Sequence, residues 1–326
     1  MAKMNNYSGD YRDDFDLSDL SKDALITLLG AYKKIYSGWM PYTAKIVRAG
    51  LGDRVTEEEF QAMLTAAGNE TITHMAIPKL KEALNLQEDD EAIQYKYYQI
   101  CCEEEGLKKG YFGDSDKIQN FLSNYPKEFD FSAISHEQCV NVVRYFRRIY
   151  QGYRDISAPK HFAMYYEKGL GDQFLKSTLP TMIDHTKYVW YPELSKAMKI
   201  EGDDVLSMFK LYQVAPDGIQ RDTYGLKMEV TDRYDVTYIG LHCYTADNFE
   251  KTGQWDALDA LCAMGEGSYE HTWYYALIDA MNPKIKMAWP VLPPRKSKDD
   301  IFCKFRFWVE EEDRTLPWKN GEGYIH

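Results

Sequence analysis

Three of the chain's six cysteines, Cys243, Cys262 and Cys303, lie in its last third. A reduced cysteine serves as a thiolate metal ligand, as a nucleophile or as a small buried hydrophobic residue. No two of these three form a CxxC pair, so their spacing alone leaves all three roles open. A metal site would need the three thiols to converge with one further ligand, and Glu266 follows Cys262 by four residues.

A nucleophilic cysteine needs a nearby base, and Cys262 has the best neighbours for this role. Glu266, Glu270 and His271 all follow it within nine residues. We therefore take His271, Glu266 and the more distant His185 as the candidate catalytic residues, serving as general acid or base. His271 also opens an aromatic helical segment, where a histidine on the solvent side is the more ordinary feature.

Two aromatic segments predict the wall of a ligand pocket. KYVWYPEL and HTWYYALIDAM carry more aromatic surface than one face of a helix can hide, and ligand pockets collect aromatic walls. The candidate ligand-binding side chains are Trp190, Tyr191, Trp273 and Tyr274. Aromatic stripes at helical spacing also form ordinary core packing, so the sequence leaves both roles open.

An internal repeat supplies the elements that must position these residues. The aligned segments are 15–38 with 129–152, 78–90 with 192–204, and 95–100 with 209–214, all at an offset of 114 (129 − 15). The motif GLGD recurs at an offset of 119 (169 − 50), so the second copy gained about five residues before it (119 − 114). The sequence predicts duplication of a small helical domain, and the cleft between the copies is a natural place for a ligand.

Each copy has the pattern of a helical unit. Apolar residues recur at helical spacing after Ser21 and after Ser135, two serines that occupy the expected N-cap positions. Gly38 and Gly152 are expected to end or bend the helices that follow these caps. The repeated region is therefore predicted to be all-helical.

After about residue 220 the pattern changes to the alternation typical of strands. LKMEVTDRYDVTYIGLHC predicts a hairpin, helical segments follow, and KIKMAWPVL and IFCKFRFWV predict two closing strands. The order β-β-α-β-β is typical of an antiparallel sheet with helices on one face. We therefore predict an α+β fold, with helical repeats at 1–110 and 111–220 and an α+β module at 221–326. The ligand pocket is expected between the sheet and the second helical copy.

Composition limits the classes of partner. The 326 residues carry a formal charge of −12, which argues against nucleic acid, because phosphate binding requires a basic face. No segment has the apolar length of a membrane span, and the opening residues lack the pattern of a signal peptide, so the cytoplasm is the expected compartment. The chain has no glycine-rich phosphate loop, so no nucleotide cofactor is expected. The sequence does not set the oligomeric state.

The last third also carries a family resemblance. Eighteen residues separate Cys243 from the CxxxE string of Cys262 and Glu266, and NPKIK, LPP and CKFRF follow. This series resembles the C-terminal module of the aminothiazoline-carboxylate hydrolase-like proteins and, more remotely, the vinyl-reductase-type small-molecule-binding domain. In that broader group a glutamate and cysteines resembling Glu266, Cys262 and Cys303 form a zinc site under a ligand pocket, so the resemblance implies zinc as cofactor. The order here is CxxxE, whereas the zinc-bearing members have ExxC.

Two functions from different classes agree with these features. The first is an enzyme that hydrolyses or hydrates a small organic molecule at a C=N, C=O or activated C=C bond. The alternative is a zinc-braced protein that senses or carries a small molecule without catalysis. The sequence shows no DNA-binding or signalling extension that would give a sensor its output, and this favours the enzyme.

Overall fold

A computed structural model gives the fold of the chain as two compact units. Unit 1 comprises Met1–Asn6 and Asp16–Thr181, and unit 2 comprises Tyr7–Phe15 and Met182–His326. The described residues are 3–109, 111–152, 156–173, 176–177, 183–216, 224–243, 246–247, 250, 253, 255–258, 269–293, 295–297 and 299–314. The predicted division into 1–110, 111–220 and 221–326 is drawn from the sequence repeat, whereas the two units are defined by compact packing. The predicted division therefore stays a prediction.

Unit 1 is built from helices. They are α1 (Lys22–Leu51), α2 (Glu57–Thr71), α3 (Ile77–Leu84), α4 (Asp90–Cys101), α5 (Glu104–Lys108), α6 (Ser115–Asn124), α7 (His136–Gly152) and α8 (Ala158–Glu167). α7 packs against both α1 and α3. Within the described part of the chain, no helix combines the length and the apolar character that a bilayer crossing requires.

Serine side chains begin the two aligned helices α1 and α7, as the sequence predicts. The Ser21 Oγ accepts the backbone N–H of Ala24 at 3.3 Å. The Ser135 Oγ accepts the N–H of Gln138 at 3.1 Å, and the Gln138 side chain accepts the Ser135 N–H at 2.9 Å. These bonds satisfy N–H groups that the first turn of a helix leaves without intrahelical partners.

The first of the two aligned helices does not end at the predicted glycine. α1 continues through Gly38 and Pro41 to Leu51. α7 is described as far as Gly152, the last residue before a stretch outside the described set, so its predicted end stays a prediction. A proline inside a helix costs about 3 kcal/mol or more. Trp39 and Val47, on either side of Pro41, are both buried, and their burial offsets that cost.

Elements at aligned positions of the repeat have matching bounds. A π-helical turn at Ile72–Ala76 leads into α3, and another at Thr186–Trp190 leads into α9 (Tyr191–Met198), with every bound 114 higher (186 − 72). The residues that follow α3 and α9, Asn85 and Lys199, both have left-handed backbone, with φ of 54° and 52°. α4 contains 95–100, and α10 (Val205–Val214) contains the aligned 209–214.

Unit 2 combines helices with one sheet. It contains α9, α10, α11 (Trp255–Leu258) and α12 (Tyr269–Met281), with strands β1 (Tyr224–Asp232), β2 (Asp235–Cys243), β3 (Lys286–Val291) and β4 (Cys303–Trp308). The strands lie in the order β1-β2-β4-β3, and every neighbouring pair is antiparallel. The predicted order β-β-α-β-β and the α+β fold class with a helical N-terminal region are confirmed.

Alternation along β4 places one face of the sheet in the core of unit 2. Phe305 and Phe307 are buried, and their ring centres lie 5.3 Å and 5.2 Å from that of Tyr274 on α12. Phe307 also meets Phe209 of α10 at 5.5 Å. Residues two apart on a strand share a face, so Cys303 belongs to this core face, as predicted.

Candidate functional site

Cys303 lies against the backbone of the neighbouring strand. It is the first residue of β4 and pairs with Gly240 of β2. A methyl group on Gly240 would lie 2.6 Å from the Cys303 sulfur, so only glycine lets the sulfur approach β2 this closely. The sulfur lies 4.0 Å from the Tyr238 hydroxyl oxygen and donates a weak hydrogen bond to it. A half-buried thiol therefore lies beside a buried phenol.

Cys243 lies at the same end of the sheet. It is the last residue of β2, and its sulfur accepts the backbone N–H of Ala246 at 3.5 Å. Cys243 and Cys303 both pack against one small apolar cluster, formed by Ala246, Leu258 and Phe302. Two of the three predicted thiols are therefore neighbours of the same cluster, and we call this region the thiol site.

A charged group adjoins the thiol site. The Arg295 guanidinium lies 2.8 Å from the Glu250 carboxylate and 3.6 Å from that of Asp247, and its carbon lies 3.8 Å from the centre of the Phe302 ring. The hydrogen bond that Arg295 donates to the Glu250 carboxylate raises the pKa of Arg295, which keeps the guanidinium charged. One cation facing two carboxylates leaves a net negative charge, which disfavours an anionic ligand here.

Two predicted ligand-binding residues, Trp190 and Tyr274, lie in the aromatic core of unit 2. Both are fully buried. Ring contacts run from Trp190 to Tyr212 at 6.5 Å, from Tyr212 to Tyr274 at 5.4 Å, and from Tyr274 to Phe305 at 5.3 Å. The structure thus joins these residues to the face of β4 that carries Cys303. Core packing is one of the two roles that the sequence left open, and contact with a ligand stays a prediction.

The other predicted site residues are placed as follows. His185 is buried directly before the π-helical turn, and Tyr191 is half-buried at the start of α9. His271 and Trp273 lie on α12 with side chains outside the described set, and Cys262 and Glu266 lie outside the described residues altogether. Among the residues that are described, no three metal-binding side chains come together. The metal set of Cys243, Cys262 and Cys303 stays a prediction.

Sequence reasoning missed two contacts of Cys303 in the thiol site and the charged group beside it. Tyr238 and Gly240 are both contacts of Cys303 across the strand pair. A glycine inside the strand pattern YIGLHC is a recognised signal of close backbone approach, so Gly240 could have been found. Arg295 falls in the PPRKSKDD stretch, which the sequence identifies only as a turn between strands.

Comparisons with known proteins give no relative whose functional site could be compared with this one. The chain matches no family model, no curated protein and no solved structure. The resemblance of its last third to the aminothiazoline-carboxylate hydrolase-like proteins therefore stays a prediction.

Proposed function

We propose that this chain is an enzyme that hydrolyses or hydrates a small organic molecule at a C=N, C=O or activated C=C bond. The contact between the half-buried Cys303 thiol and the Tyr238 hydroxyl supports this proposal most strongly. A thiol supplies a nucleophile, and a neighbouring hydroxyl supplies a route for its proton. The net negative charge of the Arg295 group favours a neutral or cationic substrate over an anionic one.

Cys303 and Tyr238 divide the chemistry between them. The Cys303 sulfur attacks the electrophilic carbon while its proton passes to the Tyr238 oxygen. The Tyr238 hydroxyl gives its own proton to the nitrogen or oxygen of the substrate, so the phenol is regenerated. Water then displaces the thiol from the carbon and restores Cys303, which leaves the hydrated product. In hydrolysis the C–N or C–O bond of the adduct also breaks, and the amine or alcohol leaves with the proton supplied by Tyr238. Glu266 and His271 are the groups we assign to activation of that water.

Turnover of a substrate panel by matched variants tests the proposal. The panel contains cyclic C=N compounds, with an aminothiazoline carboxylate among them, together with esters and activated alkenes. Cys303→Ser should lower kcat/KM by at least about a hundredfold, and Tyr238→Phe by about tenfold to a hundredfold. Cys139→Ser, which alters a buried thiol of unit 1, is the control and should leave turnover unchanged. Equal rates for Cys303→Ser and the unaltered chain would refute the proposed role of Cys303.

A second candidate is the zinc-braced small-molecule-binding protein. The observation in its favour is that Cys243 and Cys303 pack against the same cluster, since clustered thiolates are typical zinc ligands. Leu258 of that cluster precedes Cys262 by four residues in the chain.

Metal analysis distinguishes the two candidates. Protein purified without chelator should retain about one zinc per chain if the thiols are ligands. Cys243→Ser and Cys303→Ser should each lower this content, whereas Cys139→Ser should not. Stoichiometric zinc without turnover of any panel compound would favour the binding protein, and turnover by metal-free protein would favour the enzyme.

A further inference from the structure

The sheet of unit 2 has two outer strands, β1 and β3. β3 is a poor surface for a further strand, because Pro290 has no N–H group and a bulge interrupts the ladder between Ala288 and Val291. β1 contains no proline, and among the described strands it pairs with β2 alone. Its outer edge therefore presents backbone N–H and C=O groups that a further strand can bind.

Two irregularities leave β1 with one regular stretch, residues 226–230. One register shift lies directly before Leu226, and the other lies directly after Val230. The middle residue of this stretch is Met228. When a second copy of β1 pairs antiparallel with this stretch about a two-fold axis at Met228, residues equally far before and after Met228 lie opposite each other on the same face.

The charged side chains of the regular stretch are self-complementary under this symmetry. Lys227 and Glu229 are both exposed, and within one chain their charged groups lie 2.9 Å apart. Each is one residue from Met228, so Lys227 of either copy lies opposite Glu229 of the other. Two opposite-charge pairs therefore form across the new ladder, and such directly opposite pairs stabilise an antiparallel sheet.

The other face of β1 is apolar and incompletely covered. Leu226, Met228 and Val230 alternate with the charged residues and lie on the core face of the sheet. All three are half-buried, whereas Tyr238 and Val236, which pair with Met228 and Val230 on β2, are buried. A second copy paired about Met228 places its Val230 beside Leu226, so the pairing buries this apolar row further.

We propose that β1 is a homodimer interface, in which two copies of this chain pair antiparallel through residues 226–230 about a two-fold axis at Met228. The two four-stranded sheets then form one continuous sheet of eight strands (4 + 4). The charges favour a second copy over an unrelated strand, because the partner must present a glutamate and a lysine at matching positions. The interface is short, so we expect a dissociation constant in roughly the micromolar range. This inference is independent of the proposed enzymatic function.

Analytical ultracentrifugation of the full chain and of charge-reversed variants tests the proposal. Between about 1 μM and about 300 μM, the mean mass of the unaltered protein should rise from that of one chain towards that of two. Lys227→Glu and Glu229→Lys each place like charges opposite one another in both pairs, so each should weaken the dimer by at least about tenfold. An equimolar mixture of the two variants restores both opposite-charge pairs and should form a heterodimer as strong as the unaltered dimer.

Lys79→Glu and Glu82→Lys are the matched controls, because they reverse the charges of a surface lysine–glutamate pair on α3. Both should dimerise as the unaltered chain does. The double variant Lys227→Glu/Glu229→Lys only exchanges the two charges, so it should dimerise as well, and circular dichroism melts check that each variant is folded. A mass of one chain at every concentration, a dimer that survives both single reversals, a mixture that stays monomeric, or growth beyond two chains would overturn the proposal.

Discussion

Gly240 determines the geometry of the thiol site because it has no side chain. In Gly240→Ala the added methyl group would lie 2.6 Å from the Cys303 sulfur, so the sulfur must move away from β2. We expect a loss of about 1–3 kcal/mol in the free energy of unfolding, the usual cost of overpacking, together with loss of turnover. Urea unfolding and the substrate panel measure the two effects.

Gly30→Ala is the control for this change. A methyl group on Gly30 meets nothing within 4 Å on the exposed side of α1, and alanine is the better helix former by about 1 kcal/mol. This variant should therefore be more stable than the unaltered chain. Equal stability of Gly240→Ala and the unaltered chain would contradict the close approach of the sulfur to β2.

His161 should make the stability of the fold depend on pH. Burial lowers its pKa to about 4 in the folded chain, against about 6.5 in an unfolded chain. Between about pH 6.5 and pH 4 this histidine is therefore protonated in the unfolded chain but neutral in the folded chain. The contribution of the neutral imidazole is complete above pH 6.5, and about 3 kcal/mol of it is lost as the pH falls towards 4.

Comparison of His161→Gln with the unaltered chain isolates this contribution. The variant should lose less stability than the unaltered chain between pH 7 and pH 4.5, as measured by urea unfolding. His74→Gln, at an exposed position, is the control. Parallel pH curves for His161→Gln and the unaltered chain would show that His161 is not buried as a neutral group.

At the scale of elements, the left-handed residue after α9 offers a test of the duplication. Lys199 has φ of 52°, and the aligned Asn85 has φ of 54°. Asparagine tolerates this conformation, whereas lysine pays about 1 kcal/mol for the clash of its Cβ. Lys199→Gly should therefore stabilise the chain by about 1 kcal/mol, and Asn85→Gly should change its stability by less.

Thermal and urea unfolding measure both variants. Lys196→Gly, inside α9, is the control and should cost about 1 kcal/mol. If Lys199→Gly destabilised the chain as Lys196→Gly does, Lys199 would belong to the helix and the two copies would end differently.

Local signals explain which elements the sequence predicted correctly. The serine caps, the strand alternation and the offset of 114 all depend on residues within a few positions of one another or on the repeat itself. The continuation of α1 through Gly38 and Pro41 depends on burial against other helices, as at Trp39 and Val47. No local pattern contains that tertiary contribution.

The same distinction applies to the thiol site. Alternation along one strand was enough to place Cys303 on the core face with Phe305. The pairing of Cys303 with Gly240, and with it the contact to Tyr238, depends on the register between β2 and β4. Register is set by long-range packing and by turns, so a single sequence cannot supply it.

At the scale of the whole molecule, burial sorts the described cysteines into two groups. Cys101, Cys102 and Cys139 in unit 1 are buried, whereas Cys243 and Cys303 in unit 2 are half-buried. Burial also raises the pKa of all three unit 1 thiols, which lowers their reactive thiolate fraction. We therefore expect the thiols of the thiol site to be the more reactive ones of the described chain.

Pulse labelling with N-ethylmaleimide, followed by peptide mass spectrometry, tests this separation across the molecule. In the native chain Cys303 and Cys243 should react directly, because each is half-exposed. Cys101, Cys102 and Cys139 should react only through opening of the fold, so their rates should be lower by roughly 10³-fold or more. Those three rates should rise with urea below the unfolding midpoint, while the Cys303 rate stays nearly constant. Labelling of Cys101 as fast as Cys303 without urea would mean that the helical core of unit 1 does not protect its thiols.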